Sequence, residues 1–213
     1  MPYEFNKDPQ AIERESFRKI RNLTDLSGYD QQQQQVVMRI VHSLGIPSLA
    51  SQVRFSQQAC AKGMQALDSN CSILCDVEMV KQGITKRMIS TEPLCFLNTK
   101  ATAEYAKANG ETRSMAALKS WEDKLAGSVV VIGNAPTALF TLLEMLESGC
   151  AKPDLIIGMP VGFVGAAESK QALWESHKNL GVECITLLGR EGGSAVSSAS
   201  CNALLRCNHR EYY

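Results

Sequence analysis

The chain lacks several features that would place it in a familiar class of protein. No apolar run approaches the roughly 20 residues of a membrane-spanning helix, and the polar first ten residues resemble no targeting segment. Lysine plus arginine and aspartate plus glutamate both number 22, so the formal net charge is zero. No charge excess therefore favours a polyanionic partner. We expect a soluble cytoplasmic protein with no nucleic-acid and no membrane partner.

Motifs of common nucleotide-binding and hydrolytic enzymes are also missing. The chain has no G-x-x-x-x-G-K-[ST] segment to hold phosphates, no G-x-S-x-G nucleophile turn and no H-E-x-x-H metal helix. Gly158, Gly162 and Gly165 do not make the G-x-G-x-x-G spacing of a dinucleotide site. A nucleotide-dependent enzyme of general α/β type is an alternative against which these absences argue.

The eight cysteines form no C-x-x-C pair, and several lie within apolar periodic stretches. Cysteine in such a stretch behaves as a small hydrophobic residue. Cys71 and Cys75 come nearest to metal-ligand spacing, but both fall in a predicted strand. We expect reduced thiols in a protein core, with no metal site and no cofactor.

Two consecutive strand, loop and helix units dominate what the chain does contain. They cover residues 128–140 and 154–170, and in each a short apolar run rich in β-branched residues ends at a glycine before a helix begins. Glycine lets backbone N–H groups approach a ligand closely. A helix N-terminus adds unpaired donors and the positive end of its dipole. The two units predict a binding edge that favours phosphate or carboxylate.

Helix and strand patterns alternate along the chain after two N-terminal helices. A first helix is predicted to begin at Asp8-Pro9, and others at residues 31–44, 57–67, 76–82, 101–109, 112–125, 136–146, 166–180 and 194–205. Strands are predicted at residues 53–56, 72–75, 87–90, 95–97, 129–132, 155–157 and 184–188. Strands separated by helices pair in parallel. We therefore expect a three-layer, doubly wound α/β fold with a mostly parallel sheet, in a single domain over residues 1–213 with a polar tail at 206–213.

Three histidines are available for acid-base chemistry. His209 lies in the polar tail, and His177 lies late in a predicted helix, where we expect a surface position. His42 differs because it follows an apolar run and directly precedes a Gly/Pro break. Arg39, three residues earlier, shares a helical face with it. The spacing alone leaves open whether His42 is functional.

Seven segments together resemble one family, the precorrin-8X methylmutases of cobalamin biosynthesis. The resemblance spans about residues 12–205 in order, and its two longest motifs are too specific for a general α/β protein. The segments are Ile12-x-x-x-Ser16-Phe17, Arg39-Ile-Val-His42-x-x-Gly45, Asp76-Val-Glu-Met-Val-x-x-Gly83-Ile84-Thr85, Thr112-Arg113-Ser114, Gly133-Asn-Ala-Pro-Thr-Ala-Leu-Phe140, Gly158-Met-Pro-Val-Gly-Phe-Val-Gly-Ala-Ala-Glu-Ser-Lys170 and Gly189-Arg-x-Gly-Gly-Ser194.

The resemblance implies an isomerase that moves a methyl group within a tetrapyrrole, from carbon 11 to carbon 12, to give hydrogenobyrinic acid. The migration is formally a 1,5-sigmatropic shift without external methyl donor or metal. It needs the conjugated double bonds biased toward the product, which one proton donor and acceptor near the ring nitrogens can supply. The resemblance gives this role to His42, since imidazole exchanges a proton near neutral pH.

The same resemblance implies where the substrate is bound. Arg39 and Ser16 would lie beside the macrocycle. Arg113 would hold one peripheral carboxylate through a bidentate bond, although a helix-surface ion pair is its alternative role. Thr85 is a candidate that a simple strand start would also explain. The remaining candidates are Asn134 and Thr137 for the carboxylates and Phe163 for the ring face.

The family resemblance also implies a homodimer with the tetrapyrrole cleft near the subunit interface. A noncatalytic tetrapyrrole-binding carrier remains an alternative, because it would use the same carboxylate-binding loops without needing His42. The substrate could be metal-free precorrin-8X or its cobalt complex, and any metal would arrive with the substrate.

Overall fold

A five-stranded sheet forms the centre of the computed structural model, which describes residues 3–213. The spatial order is β1-β5-β4-β3-β2, in which β2 to β5 are parallel and β1 pairs antiparallel with β5. The strands are β1 (Val53–Phe55), β2 (Ile73–Cys75), β3 (Val129–Ile132), β4 (Leu155–Gly158) and β5 (Cys184–Leu187). The parallel strands are apolar along nearly their whole length because both of their faces are covered.

Nine α-helices accompany the sheet in the described residues. They are α1 (Pro9–Leu23), α2 (Gln31–Leu44), α3 (Ala59–Asp68), α4 (Glu78–Gly83), α5 (Lys100–Asn109), α6 (Arg113–Ala117), α7 (Pro136–Glu147), α8 (Ala166–Leu180) and α9 (Ser194–Asn208). Short 3-10 helices lie at Pro47–Gln52, Lys86–Met88 and Leu118–Lys124. Asp8 caps α1 by accepting hydrogen bonds from the N–H groups of Gln10 and Ala11.

Two apolar clusters separate the molecule into three layers. On one face, side chains of α2, α3 and α9 pack against Val129, Val131 and Ile157 of the sheet. On the other face, α7, α8 and Trp121 pack against Val130 and Ile156. Alternate residues of one strand therefore enter opposite clusters, as the pleat of a strand requires. The predicted three-layer, doubly wound α/β fold with a mostly parallel sheet is confirmed.

Some predicted elements differ from those in the structure. Residues 87–90 and 95–97 are not strands: the first overlaps a 3-10 helix, and near the second only Leu94 pairs with the sheet, through a bridge to Leu74. The predicted helix 112–125 is α-helical only to Ala117 and continues as a 3-10 helix. All three segments contain apolar residues that are fixed by tertiary packing, so their local periodicity is a poor guide to their backbone.

The polar segment 206–213 folds back onto the protein. Helix α9 extends through Asn208, and Cys207 is buried. The Tyr213 N–H donates to the side-chain oxygen of Gln35 on α2 at 2.9 Å. Arg21 on α1 donates to the Tyr213 carbonyl at 2.6 Å. The predicted polar tail thus contributes to the surface formed by α1 and α2.

Candidate functional site

His42 lies exposed in the last turn of α2. The helix is fixed at its start by a capping box, in which the Asp30 carboxylate accepts from the Gln33 N–H at 2.9 Å. It ends at Gly45, whose φ of 72° favours glycine. Since Met38, Ile40 and Val41 in the last two turns are buried, the helix has a fixed rotation. His42 is therefore presented at the surface in a defined direction.

The imidazole of His42 stacks on Phe17 of α1. The ring centroids are 5.1 Å apart with an interplanar angle of 15°, and Phe17 is buried. Burial lowers the pKa of His42 below its ordinary 6.5, the charge of Arg39 lowers it further, and the Glu13 carboxylate opposes both. His42 is accordingly neutral at pH 7, with a ring nitrogen free to accept a proton.

Arg39 lies one turn before His42 at the centre of a charged cluster. Its Nη2 is 3.3 Å from Glu13 Oε1 and donates to the Tyr213 hydroxyl. The same Glu13 oxygen is 3.6 Å from Arg206 on α9. Burial and the charge of Arg206 lower the pKa of Arg39 to about 10, against the raising effect of Glu13 and Glu211. Arg39 keeps its positive charge at neutral pH.

A groove of about 360 Å³ runs from Arg39 along α4 and α9. Its lining includes Arg39, Met79, Gly83, Ala195, Ser198 and Asn202. Asn202 accepts from the Thr85 N–H at 2.8 Å and donates to the Gly83 carbonyl at 2.8 Å. These bonds place Thr85 beside the groove. Ser16 precedes Phe17 on α1 and is half-buried.

The loop after β3 is organised by the buried carboxylate of Asp76. Asp76 Oδ1 accepts from the Gly133 N–H at 3.0 Å, and Oδ2 accepts from the N–H groups of Asn134 and Ala135 at 2.8 and 2.9 Å. Burial raises the pKa of Asp76, and the three N–H donors oppose that effect. Of the backbone donors that the sequence pattern suggested for substrate carboxylates, those of the loop after β3 are therefore already occupied. Asn134 retains an exposed side-chain amide.

The other predicted binding residues lie near the start of α7 and in the loop after β4. The hydroxyl oxygens of Thr112 and Thr137 are 3.4 Å apart, which places Arg113 near Thr137. Arg113 is exposed and forms no ion pair within residues 3–213. Phe163 is 88% exposed, and the guanidinium of Arg190 lies 5.9 Å from its ring centre.

The structure thus distributes the predicted residues over two neighbouring regions. Ser16, Arg39, His42 and Thr85 lie with α1, α2 and α9, whereas Arg113, Asn134, Thr137 and Phe163 lie with the loops at the carboxyl end of the parallel strands. Helix α9 connects the two regions, since Ser194 at its start lies against Gly133 and Asn202 lies in the groove.

The other two histidines have different surroundings. The prediction of a surface position for His177 is wrong: it is 5% exposed, its Nδ1 lies 2.6 Å from the Trp174 carbonyl, and its ring stacks on Trp174. Helix α8 packs this part of its surface inward, which residue type alone does not reveal. His209 is exposed just after α9.

The buried ionisable groups away from His42 contact other parts of the protein. Lys170 is fully buried and donates to the Glu191 carbonyl, and burial lowers its pKa to about 8. All eight cysteines are free thiols. No group of three or more potential ligand side chains within residues 3–213 is arranged to hold a metal ion. None of the helices in that range combines the length and the apolar content of a membrane span.

Sequence reasoning missed several residues that shape the site. Three side chains, those of Glu13, Arg206 and Tyr213, surround Arg39. They lie 26 to 174 positions from it along the chain. Asp76 is present in the resembling segments, but nothing in its spacing showed that it would fill the loop after β3. Contacts between such distant residues can be recognised only in the folded chain.

Comparisons with known proteins agree over nearly the whole chain. The family model of precorrin-8X methylmutase matches residues 11–207. The chain is 45% identical to a protein of Pseudomonas aeruginosa named precorrin-8X methylmutase, over 94% of this chain and 97% of that one. It is 46% identical to a protein of the same name from a Sinorhizobium species, over 96% and 97%.

More distant relatives extend the comparison to a second name and to a solved structure. A protein of Priestia megaterium named cobalt-precorrin-8 methylmutase is 36% identical over 92% of this chain and 87% of that one. The crystal structure of precorrin-8X methylmutase from Thermus thermophilus matches with a TM-score of 0.85 at 33% identity, covering 96% of this chain and 98% of that chain. Fold and sequence agree, and the chain belongs to the precorrin-8X methylmutase family.

Proposed function

We propose that this protein moves a methyl group from carbon 11 to carbon 12 of precorrin-8X, with His42 as the proton donor and acceptor. As a member of its family, the protein is an isomerase of cobalamin biosynthesis. The observation that carries the role of His42 is its position: an exposed, neutral imidazole stacked on Phe17, one helical turn from a charged arginine.

The protonation state of His42 sets the order of its two tasks. Because its pKa is lowered below 6.5, the imidazole is neutral at pH 7 and first accepts a proton from the macrocycle. The resulting imidazolium returns the proton at the position that the product arrangement of double bonds requires. The proton is conserved over one cycle, as an isomerisation demands.

The two regions that hold the predicted residues suit a flat, apolar ring that carries carboxylates. Arg39 faces the groove and Arg113 is exposed without an ion pair in the described chain, so both can bind a carboxylate. Phe163 and Met79, which is 73% exposed, offer apolar surface to the ring. Ser16, Thr85, Asn134 and Thr137 add polar groups that fix the orientation of the substrate.

We assign the metal-free tetrapyrrole as the substrate. The relatives named precorrin-8X methylmutase are 45% and 46% identical to this chain, whereas those named cobalt-precorrin-8 methylmutase are 33% to 36% identical. A higher kcat/KM for precorrin-8X than for its cobalt complex is the expected result. A preference for the cobalt complex would overturn the assignment.

We also propose a homodimer whose interface borders the substrate cleft. Val161, Phe163 and Val164 are exposed side by side in one loop, Phe163 and Val164 at 88% and 89%. Apolar clusters of this kind are typical of surfaces that a partner or ligand covers. Sedimentation equilibrium should give twice the mass of one chain, and a monomer at micromolar concentration would contradict this proposal.

The role of His42 is tested by the conversion of precorrin-8X, followed by absorbance. His42→Ala should lower kcat by at least about 100-fold, since a positioned proton donor contributes roughly that much or more, while tetrapyrrole binding persists. The matched control is His209→Ala, which removes an exposed imidazole elsewhere. Wild-type turnover by His42→Ala would remove its proton role, and binding without conversion by the wild type would favour a carrier.

A further inference from the structure

The ring of Tyr213 is packed into the cluster around Arg39. It stacks on Phe17 with a centroid distance of 3.5 Å and an interplanar angle of 10°. The guanidinium carbons of Arg39 and Arg206 lie 4.7 and 4.8 Å from the centre of the Tyr213 ring. Phe17 also contacts His42, so Tyr213 and His42 are both parallel to the same ring.

The hydroxyl of Tyr213 connects two charged side chains. It donates to Glu13 Oε1 at 2.7 Å and accepts from Arg39 Nη2. Because the hydroxyl is neutral, it orients the guanidinium without cancelling its charge. Glu13 alone cannot hold Arg39 in this way, since its Oε1 also approaches Arg206 at 3.6 Å.

Arg39 retains capacity for a further acceptor. Its hydrogen bonds within residues 3–213 all leave from Nη2, so its Nη1 is available, and its side chain lines the groove toward α9. A guanidinium binds a carboxylate best when its plane is fixed beforehand, because two parallel N–H bonds require one orientation. The Tyr213 ring on one side and the Tyr213 hydroxyl at Nη2 supply that restraint.

We infer that Tyr213 is a positioning residue for the methylmutase reaction, which orients Arg39 toward a substrate carboxylate and holds Phe17 against His42. The inference rests on the proposed roles of Arg39 and His42. Tyr213 itself need not touch the macrocycle. Its two parts have separable effects: the hydroxyl acts on Arg39 and therefore on substrate binding, whereas the ring acts through Phe17 on His42 and therefore on turnover.

Two substitutions separate these effects in assays with precorrin-8X. Tyr213→Phe removes the hydroxyl and keeps the ring, so KM should rise about tenfold, the size expected for one hydrogen bond to a charged group, with kcat within about twofold of wild type. Tyr213→Ala removes both parts, so kcat should also fall, by about tenfold. Compared with Tyr213→Ala, Tyr213→Phe would thus recover kcat, while its KM would stay above that of wild type.

The matched control is Tyr212→Ala, which removes an exposed neighbouring tyrosine. Thermal melting of every variant identifies loss of folding. Wild-type kcat and KM in both Tyr213 variants, or equal losses of activity and folded fraction in both, would overturn the inference. If wild type and Tyr212→Ala also fail to convert precorrin-8X, the proposed function fails and this inference fails with it.

Discussion

At the residue scale, partial burial and two opposite charges determine the pKa of His42. Arg39 lowers the pKa of His42 and Glu13 raises it. Both side chains also contact each other, at 3.3 Å between Arg39 Nη2 and Glu13 Oε1. Partial burial and the charge of Arg39 together outweigh Glu13, so the pKa of His42 lies below its ordinary 6.5.

We predict that Glu13→Gln moves the acid limb of the pH profile of kcat/KM to lower pH. The substitution removes the one charge that raises the pKa of His42 and leaves Arg39, which lowers it, without its Glu13 partner, so that pKa falls further. Since the proposed mechanism starts from neutral His42, activity should persist to a more acidic pH. The measurement is kcat/KM for precorrin-8X between pH 5 and 8.

The control for this prediction is Glu15→Gln. Glu15 lies on the same helix but pairs with Arg18 at 2.7 Å on the exposed side, so its replacement should leave the acid limb in place. An acid limb that stays unchanged or rises in Glu13→Gln would contradict the role given to the carboxylate.

The sequence predicted His42, Arg39 and Ser16 as site residues because they lie in short segments that resemble the family. It did not identify Glu13 or Tyr213 as their partners. The Tyr213 hydroxyl reaches Glu13 across 200 positions of the chain, and such a contact leaves no local pattern. Of the glutamines at 31–35, the Gln33 side chain accepts from the Asp30 N–H in the capping box of α2, and the Gln35 side chain accepts from the Tyr213 N–H. The repetition of glutamine suggests only a solvated helix start.

At the element scale, α9 approaches the end of β3 more closely than side chains usually permit. A Cβ atom added at Gly133 would lie 2.8 Å from the Cα atom of Ser194 and 2.9 Å from Val80 and Ser197 side-chain atoms. The contact is with backbone, which cannot swing aside. This close approach holds the groove along α9 next to the loop after β3.

Gly133→Ala should therefore destabilise the fold by about 1–3 kcal/mol, the cost typical of overpacking a tight contact. Urea unfolding followed by circular dichroism gives the change. Gly28→Ala is the matched control, because no atom lies within 4 Å of the added Cβ, and its stability should equal that of wild type or slightly exceed it. Equal stabilities of Gly133→Ala and wild type would show that α9 can shift away from the end of β3 without cost.

Elements with strong periodicity were predictable, and those fixed by distant contacts were not. The central strands and the long helices α2, α7 and α8 follow from continuous apolar runs or from a 3.6-residue period. The antiparallel direction of β1 was not foreseen, because its register with Leu187 depends on a strand more than 130 residues later. Residues 95–97 resemble a strand but lie beside the sheet, where only Leu94 bonds to it.

At the scale of the whole molecule, buried thiols make the stability of the fold depend on pH in the alkaline range. Burial raises the pKa of several cysteines, among them Cys201 and Cys184 to about 12 and Cys207 to about 11. In the unfolded chain a thiol titrates near about 8.5. The stability that these groups contribute is complete below that pH and is lost as pH rises toward the folded values.

We predict that the free energy of unfolding in urea falls between pH 7.5 and pH 10. The free energy of unfolding of Cys201→Ala should fall by about 2 kcal/mol less than that of wild type over that range, because one of the titrating thiols is gone. Lys170 titrates in the opposite direction but is common to both proteins, so it cancels in the difference. Parallel pH dependences in the two proteins would show that Cys201 is not protected by folding.

The carboxylate of Asp76 gives the binding edge an internal ligand. An anion attached to the same chain meets the three amides of residues 133–135 at an effective concentration that a free ligand cannot match. The amides of residues 133–135 are therefore not available to a phosphate, although they lie at an edge of the kind that often binds nucleotides. Ligand recognition at this loop therefore depends on side chains, which can be spaced as widely as the carboxylates of a macrocycle.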